Sequence, residues 1–499
     1  MATDLLSPLQ APAITTGAST WVRGLDTATT NVFHKLAAQL QAKATRNLLR
    51  QSYYDSKATI KHLGIAVPPH LHKFQTAIGW PSKAVDMLER RIRWQGYVAP
   101  DQGSDPFGLS TILRENQFEM LVSQGVTGSL IHSNSWLFVS QGIPGTGDPE
   151  VVITARSALH STGLWDARRR RVSAALDVLS MDKHGEADAA IMYDRNAVYG
   201  LVRRYGIWYG KARPHGLGRL PVAMLPYRPS MDRPFGRSKI SRPVMGITDK
   251  AVRTALRSEI TAEFFSAPQR YALDLDPGTL EEGVPGWAAL VGRIMAMERD
   301  PDDPDSRTPT VGQFNSHSQS PHIEHMRELA SEMSGEANIP AGVLGVHHDN
   351  PASDRAMHTA YMPLDEDAER AHTSIGWALD QVGVLAVMTR DRLSEAPAEL
   401  MGLRSRFQDP ARPTRAAATD AVVKQVEAGI LPPNSDVVLQ QLGYDAPTIS
   451  QIQEDRRRVQ FNTMLQGGLR QAAAQVGSDP DVAEVMERRG ADADSLPIT

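Results

Sequence analysis

Apolar residues recur at spacings of three and four in several stretches of the chain, a pattern that places them on one face of a helix. The strongest pattern lies in two stretches, TDKAVRTALRSEITAEFF and PHIEHMRELASEMSG. Their shared-face positions are Val252, Leu256, Ile260, Ile323, Met326 and Leu329. Thr248 is a suitable N-cap residue for the first of these helices. The sequence therefore predicts a pair of helices separated by a compact insert.

Further helices are predicted on either side of this pair. Residues 26–54 carry Leu36 and Leu40 at helical spacing. Another helix is expected to begin near Pro81, since proline favours the first helical turn, and to end at Gly96. Additional helical patterns occupy residues 105–130, 354–390 and 414–460.

Short runs of β-branched and alternating residues predict strands between residues 135 and 226. These runs are SWLFVSQG, EVVITARS, SAALDVLSM, DAAIMYDR, AVYGLVRR, IWYGKA and LPVAMLP. With the helices before them, they predict one α+β domain. Residues 1–25, rich in Ala, Thr, Ser and Pro, are expected to form a loose arm.

The length, cysteine content and net charge of the chain exclude several kinds of protein. With 499 residues, the chain is expected to form two to four domains. The absence of cysteine excludes disulfides, thiolate zinc sites and a cysteine nucleophile. Neither a signal peptide nor a membrane-spanning apolar run is expected. The net charge of −4 differs from the basic surplus of most DNA-binding proteins, so any contact with DNA is expected to be local or non-adhesive.

Two stretches are similar to catalytic motifs but do not match them. The segment from Gly206 to Lys211 lacks one spacer residue and the Ser or Thr of a phosphate-binding loop, which favours a strand beside a turn. The other stretch contains His322, Glu324 and His325, whose two histidines are three residues apart rather than the four of a zinc motif. A metal-dependent hydrolase or nuclease that uses these three residues remains the alternative function.

Two charged stretches each have two interpretations. The run Arg168–Arg171 either contacts nucleic acid or forms a charged turn or subunit contact. The acidic run at 298–305 lacks the Gly and Glu of a calcium loop, which leaves a weak ion site or a solvated loop. No catalytic residue, metal ligand or cofactor is assigned. A large chain without a recognisable site is more typical of an assembly component than of an enzyme.

Four regions of the sequence, in a fixed order, carry a resemblance to a known family. They are YYDSKATIKHLGIAVPPHL with GWPSKAVDMLERRIRWQGY, FGRSKISRPVMGITDKAVRTALRSEITAEFFSAPQRYAL, SPHIEHMRELASEMSGEANIPAGVLGV, and AVVKQVEAGILPPNSDVVLQQLGYDAPTISQIQEDRRR. Together they resemble the phage portal proteins of the SPP1-type family, particularly those of tailed phages that infect actinobacteria. The resemblance covers roughly residues 26–460. It implies an α+β portal fold and a non-enzymatic ring, generally of twelve subunits, around a central channel.

The resemblance also implies an assignment of regions. After an arm at 1–25 come a wing at 26–246, stem helices at 247–269 and 320–345, a clip at 270–319, a tunnel loop at 346–354, a long wing helix with its return at 355–411, and a crown with a mobile tail at 412–499. The six shared-face residues above would belong to the stem. The tunnel loop would place His347, His348, Asp349, Asn350 and Ser353 at the channel constriction.

The implied partners are those of a capsid vertex. They are further copies of the chain, the major capsid protein, the terminase large subunit, a head–tail adaptor, and double-stranded DNA passing through the channel during packaging and ejection. The implied location is the portal vertex of the virion, assembled in the host cytoplasm, with no role for a membrane.

Overall fold

The computed structural model describes residues 10–14, 21–58, 76–100, 102–103, 105–265, 270–275, 294–298, 310–313, 318–346, 354–411, 415–444 and 446–477. The chain divides into two compact units, Met1–Ala411 and Arg412–Thr499. Both helices and sheets contribute to the first unit, whereas the described elements of the second unit are helices. The α+β class predicted from the sequence is confirmed.

The first unit contains seven described helices longer than a single turn. They are α1 (Thr27–Tyr54), α2 (Trp80–Glu89), α3 (Leu109–Glu115), α4 (Phe118–His132), α5 (Arg242–Phe265), α6 (Ser320–Ala337) and α7 (Asp354–Arg390). The start of α1 is fixed by Asp26, whose carboxylate accepts a hydrogen bond from the Thr29 backbone at 2.6 Å. Such a cap contributes about 1 kcal/mol.

The strands of the first unit form four sheets in the described part of the chain. The strands are β1 (Trp94–Val98), β2 (Asn134–Gln141), β3 (Val151–Ser157), β4 (Ser161–Asp166), β5 (Arg171–Met181), β6 (Ala187–Tyr193), β7 (Ala197–Arg204), β8 (Ile207–Pro214), β9 (Val222–Pro226), β10 (Arg270–Leu275), β11 (Ile294–Glu298), β12 (Thr310–Gln313) and β13 (Arg404–Phe407). The largest sheet is antiparallel, in the order β4-β5-β6-β7-β8, and a second antiparallel sheet has the order β3-β2-β9. Strand β1 pairs with β13, and β10 lies between a parallel β11 and an antiparallel β12.

The two larger sheets pack face to face because their strands alternate. Successive side chains of a strand point to opposite faces of its sheet. In β2, Trp136 and Phe138 face the five-stranded sheet, whereas Leu137 and Val139 join the core formed with the helices. The opposite face of the five-stranded sheet packs on α1 through residues such as Leu176 of β5. The three-stranded sheet therefore lies between two apolar cores.

Helix α7 runs through the largest of these cores. The side chains of residues 356–360 are exposed, whereas Leu364, Ile375 and Leu385 are fully buried. Pro363 lies where exposure gives way to burial. A proline inside a helix removes one backbone hydrogen bond and thereby weakens the helix locally. Pro363 therefore marks the boundary between the solvated outer segment of α7 and the segment held by the core.

Several sequence expectations about helix ends are wrong. Helix α5 begins at Arg242 rather than after Thr248, because buried Val244 and Ile247 extend the apolar face backwards. The predicted helix at 105–130 is broken at Gln117, whose φ is +49°. Helix α2 ends at Glu89, and Gly96 instead lies in β1, where the register with β13 shifts.

The structure also shows where the stretches that had two interpretations lie. The residues from Gly206 to Lys211 form a turn and the start of β8, in agreement with the predicted strand beside a turn. Arg168–Arg170 lie in the turn between β4 and β5, and Arg171 begins β5. The strands β1, β4, β10, β11, β12 and β13 were not predicted. The acidic run at 299–305 lies outside the described residues.

The described part of the predicted N-terminal arm is not loose. Val22 is fully buried, and Ile14 and Leu25 are buried in the core between α1 and the five-stranded sheet. Ala13 forms a parallel bridge with Glu186. This Pro- and Thr-rich segment therefore packs against the five-stranded sheet through its few apolar side chains. The local sequence pattern did not predict that contact.

The second unit contains three described helices. They are α8 (Arg415–Glu427), α9 (Asp436–Gln441) and α10 (Ala446–Gly477). Ser435 caps α9 by accepting a hydrogen bond from the Val438 backbone. Helix α10 continues well beyond the predicted end of the helical region at residue 460, and residues 478–499 lie outside the described chain.

Packing around Gly383 of α7 gives a test of this fold. A methyl group there would lie 2.5 Å from Leu403 Cδ2 and 2.9 Å from Tyr97 Cζ. We expect Gly383→Ala to lower the free energy of unfolding by about 1–3 kcal/mol, because packed neighbours resist displacement. Chemical and thermal denaturation would measure the change.

Gly335→Ala in α6 is the matched control, because nothing lies within 4 Å of the added methyl group. It is expected to leave stability unchanged or raise it by up to about 1 kcal/mol through helix propensity. If the two variants had equal stability, the packing between α7, β1 and β13 would differ from that described.

Candidate functional site

Helices α5 and α6 form the antiparallel pair that the apolar spacing predicted. At one end, the Ser241 hydroxyl donates a hydrogen bond to Glu336 Oε1 at 3.2 Å. At the other, the Ser258 hydroxyl donates to Gln319 Oε1 at 2.9 Å. Polar contacts at both ends therefore fix how the two helices align.

Along α6, burial increases from the outer end of the pair inwards, since Ile323 is half exposed, Met326 is partly buried and Leu329 is fully buried. Along α5, Leu256 is fully buried between the partly buried Val252 and Ile260. The buried positions of the pair are thus held by the rest of the first unit, and Ile323 presents apolar surface to solvent at the outer end. Such surface is available for contact with another chain.

An open groove of about 520 Å³ lies between the two helices and the segment that follows α6. Its lining includes Trp80, Ser258, His322, Met326, Leu344 and Val346. Trp80 comes from α2, so the groove joins the helix pair to the α+β part of the unit. Its walls combine apolar side chains with hydrogen-bonding and charged groups, among them Glu259 and Arg327.

One buried carboxylate connects the elements around this pair. Asp367 of α7 accepts hydrogen bonds from Lys239 Nζ at 2.8 Å, from Arg228 Nη2 at 3.0 Å and from Asn338 Nδ2 at 3.1 Å. Lys239 precedes α5, and Asn338 is the C-cap of α6. The segment entering α5, the end of α6 and the body of α7 therefore meet at a single side chain, which we call the Asp367 junction.

The Asp367 junction is electrostatically balanced. Burial raises the pKa of Asp367, but Lys239, Asn338 and Arg228 outweigh it and hold that pKa below its ordinary value. Burial also lowers the pKa of Lys239, against the attraction of Asp367. The side chains of Lys239 and Asp367 are 5% and 3% exposed, so each charge depends on the other for stabilisation.

The chain beyond α6 turns twice before the described segment ends. Asn338 has a left-handed φ of +50°, and Gly345 has φ +90°. The Ser334 hydroxyl donates to the Ile339 carbonyl at 2.6 Å and holds the first turn. Val346 is the last described residue before α7 begins at Asp354, so the predicted tunnel-loop residues lie outside the described chain. They are His347, His348, Asp349, Asn350 and Ser353.

The alternative metal site has a definite position at the start of α6. His322 Nε2 lies 3.3 Å from the Thr261 hydroxyl, and His325 Nδ1 lies 3.4 Å from Glu328. Among the described residues, no group of three His, Asp or Glu side chains is placed to hold a metal ion. No observation in that part of the chain therefore supports the hydrolase alternative.

Sequence reasoning did not find the Asp367 junction, because its four residues are far apart along the chain. Asp367 itself carried a usable signal. It lies on the same stripe as buried Leu364 and Ala368, where an acidic residue requires a cation. The sequence offered no means of choosing Lys239 and Arg228 from the other basic residues of the connector between β9 and α5, residues 227–241.

Comparisons with known proteins agree on one family. The family profile described as phage portal protein, SPP1 Gp6-like, matches residues 33–460. The portal protein of Mycobacterium phage D29 is 26% identical over 442 residues, covering 86% of this chain and 88% of its own length. The portal protein of Mycobacterium phage L5 is 27% identical over 383 residues, covering 75% and 77%.

Two solved structures also overlap with the chain. One chain comes from the neck of a native GTA particle computed with C12 symmetry; it has a TM-score of 0.40 and 13% identity, with 73% of this chain and 89% of that chain covered. The other comes from the neck of an empty GTA particle computed with C6 symmetry, with a TM-score of 0.42, 13% identity, and coverage of 72% and 89%. None of the helices in the described part of the chain combines the length and hydropathy needed to cross a membrane.

Removing the charge of Asp367 tests the junction. We expect Asp367→Asn to lower the free energy of unfolding by about 3 kcal/mol, because Lys239 is left buried without a counter-charge. The double variant with Lys239→Met is expected to recover part of this loss, since no isolated charge remains. Denaturation of the natural chain, the two single variants and the double variant measures the coupling free energy between the two side chains. Strictly additive changes in the free energy of unfolding would show that the pair does not stabilise the fold.

The same pair predicts a dependence on pH. The folded-state pKa of Asp367 is lowered, so its contribution is fully present above the ordinary value of 3.8 and is lost as the pH falls below it. The melting temperature of the natural chain is expected to fall more steeply than that of Asp367→Asn as the solution is acidified below about pH 4. Melting temperatures of both proteins, measured in parallel over this pH range, test the prediction. Equal falls in melting temperature would contradict it.

Proposed function

The chain belongs to the SPP1 Gp6-like family of phage portal proteins, and we propose that it forms the ring at the unique capsid vertex through which double-stranded DNA is packaged and ejected. The observation that carries this proposal is the family match over residues 33–460. That range includes the helix pair, the small sheet between its helices and all of α7. The family is structural rather than catalytic, and we propose that this chain has no enzymatic activity of its own.

Exposed apolar side chains support assembly with further copies of the chain. On α7, Trp377 is 67% exposed, and Met357 and Met362 are about half exposed. On the outer end of the helix pair, Ile323 is also half exposed. A head-to-tail contact repeated with rotation closes into a ring, and such a ring would bury this apolar surface between subunits. Twelve subunits is the number we propose.

The order of elements supports assignments within the ring. Helices α5 and α6 would form the stem, and the sheet of β10, β11 and β12 would form the clip, which meets the terminase large subunit and later a head–tail adaptor. The α+β part would form the wing, in contact with the major capsid protein, and the second unit would form the crown. A net charge of −4 suits a channel that passes DNA without gripping its phosphates.

Electron microscopy of the purified full-length chain tests the ring directly. We expect particles with a central hole, and mass measurement in solution is expected to give a single closed oligomer. A chain that stays monomeric in solution and also forms no ring in capsids would overturn the proposal.

Deletion of residues 347–352 tests the assigned tunnel loop. The hydrogen bonds that align α5 with α6 join Ser241 to Glu336 and Ser258 to Gln319, outside the deleted segment, so rings are expected to form. Packaging or retention of DNA in capsids that carry the shortened protein is expected to fall. Loss of rings would instead assign the loop to assembly. Normal DNA content would show that the loop does not act on DNA in the channel.

A further inference from the structure

Helix α1 has two chemically different faces. One face carries Phe33 and Leu36 into the core against the five-stranded sheet. A second face, nearer the C-terminal end, carries Lys43, Arg46 and Arg50 at spacings of three and four residues, so the three cations follow one another along the helix. No acidic residue occurs in α1 after its cap.

A fourth cation joins this row from the connector before α5. The guanidinium of Arg233 lies near enough to Arg46 to lower its pKa, in addition to the effect of burial. Lys43 Nζ lies 4.2 Å from the centre of the Phe235 ring, which ties the same connector to α1. We call Lys43, Arg46, Arg50 and Arg233 the basic row.

The cations of the basic row have no counter-charge in the described part of the chain. None of the four forms an ion pair there, although Asp232 precedes Arg233 in sequence. Arg50 donates instead to the His132 carbonyl at 3.1 Å. Burial and the charge of Arg46 lower the pKa of Lys43 to about 8 and that of Arg50 to about 10.

Two partly buried arginines elsewhere in the unit are paired with carboxylates. Arg91 pairs with Asp365 at 3.1 Å, and Arg390 pairs with Asp391 at 2.7 Å. The positive field of the row also reaches the buried ring of His132, whose pKa is lowered to about 3 by burial and then by Arg50. Four mutually repelling cations beside a neutral histidine are destabilised until an anion arrives.

We propose that the basic row binds the phosphate backbone of double-stranded DNA, through residues other than those assigned to the stem and the tunnel loop. Guanidinium groups match phosphate oxygens with paired hydrogen bonds, which favours a phosphate ligand. From Lys43 to Arg50 the helix rises about 10.5 Å. One DNA strand places a phosphate about every 3.4 Å along its axis, so the row spans about three phosphates.

The row lies on α1 and on the connector, so its residues are not those of the helix pair or of residues 346–354. The end of α1 contacts the pair, because the Tyr53 hydroxyl donates a hydrogen bond to Asp249 Oδ1 of α5 at 2.8 Å. The choice of duplex DNA as the anion rests on the proposed function, since a portal subunit works beside packaged DNA. The anion site itself does not depend on ring formation.

Binding of a short fluorescent duplex to the full-length protein, followed by anisotropy, tests the site. The variant Arg46→Ala/Arg233→Ala removes two exposed cations and is expected to weaken binding at least about tenfold at low salt. Each lost phosphate contact changes the slope of log affinity against log salt by about 0.9, so the slope is expected to decrease by about 1.8. Unchanged affinity and slope would overturn the proposal.

The control variant is Arg204→Ala/Arg213→Ala, which removes the same charge from exposed positions of β7 and β8. It is expected to bind DNA like the natural chain; an equal loss would indicate attraction to net charge rather than a site. Arg46→Lys/Arg233→Lys is expected to restore the salt slope, and failure to do so would also count against phosphate contacts.

Two further measurements separate the possible outcomes. Poly-glutamate should compete for the row less well than unlabelled DNA of equal charge, and better competition by poly-glutamate would assign the row to an acidic protein segment. Electron microscopy of the Arg46→Ala/Arg233→Ala variant should show the same assembly as the natural chain. Rings without DNA binding by the natural chain would reject this site while leaving the proposed function intact.

Discussion

The contact between Lys239 and Asp367 constrains how the chain before α5, the end of α6 and the middle of α7 pack together. Moving two opposite charges out of water costs several kcal/mol for each ion unless they meet each other and further hydrogen-bonding groups. Asp367 meets both conditions only while the chain before α5, the end of α6 and the middle of α7 converge on it. Arrangements that separate these segments leave a buried charge unpaired, so the junction specifies geometry more than it adds net stability.

Net stability comes mainly from the apolar cores that surround this junction. Leu364 and Ala368 flank Asp367 on α7 and are completely buried. Each fully buried large apolar side chain contributes about 1.5–3 kcal/mol. Alternation along β2 extends the same packing into two layers, because Leu137 faces the helices and Trp136 faces the second sheet. The polar junction thus sets the alignment of elements that hydrophobic burial holds together.

Local periodicity was sufficient to predict most helices and strands, since α1, α5, α6 and α7 each carry a continuous apolar face. It failed where a distant contact decided the local structure. Asn116 ends α3 because its side chain bonds to Val151 and Ile153 at the edge of β3, a partner that no helical pattern reveals. The Asp367 junction and the basic row were missed for the same reason, because their members come from separate segments. The residues assigned to the tunnel loop from the family resemblance remain a prediction.

A negative net charge and a basic row on α1 are compatible because they act at different places. Electrostatic attraction between exposed groups decays over about 8 Å at physiological salt, so each surface responds to its own charges rather than to the total. In a closed ring, a row that binds weakly in one subunit is repeated around the circumference, and linked weak contacts gain affinity by acting together. Under the proposed assignments, contacts on the wing would hold DNA near the ring, while the helices of the stem would leave the channel free for passage.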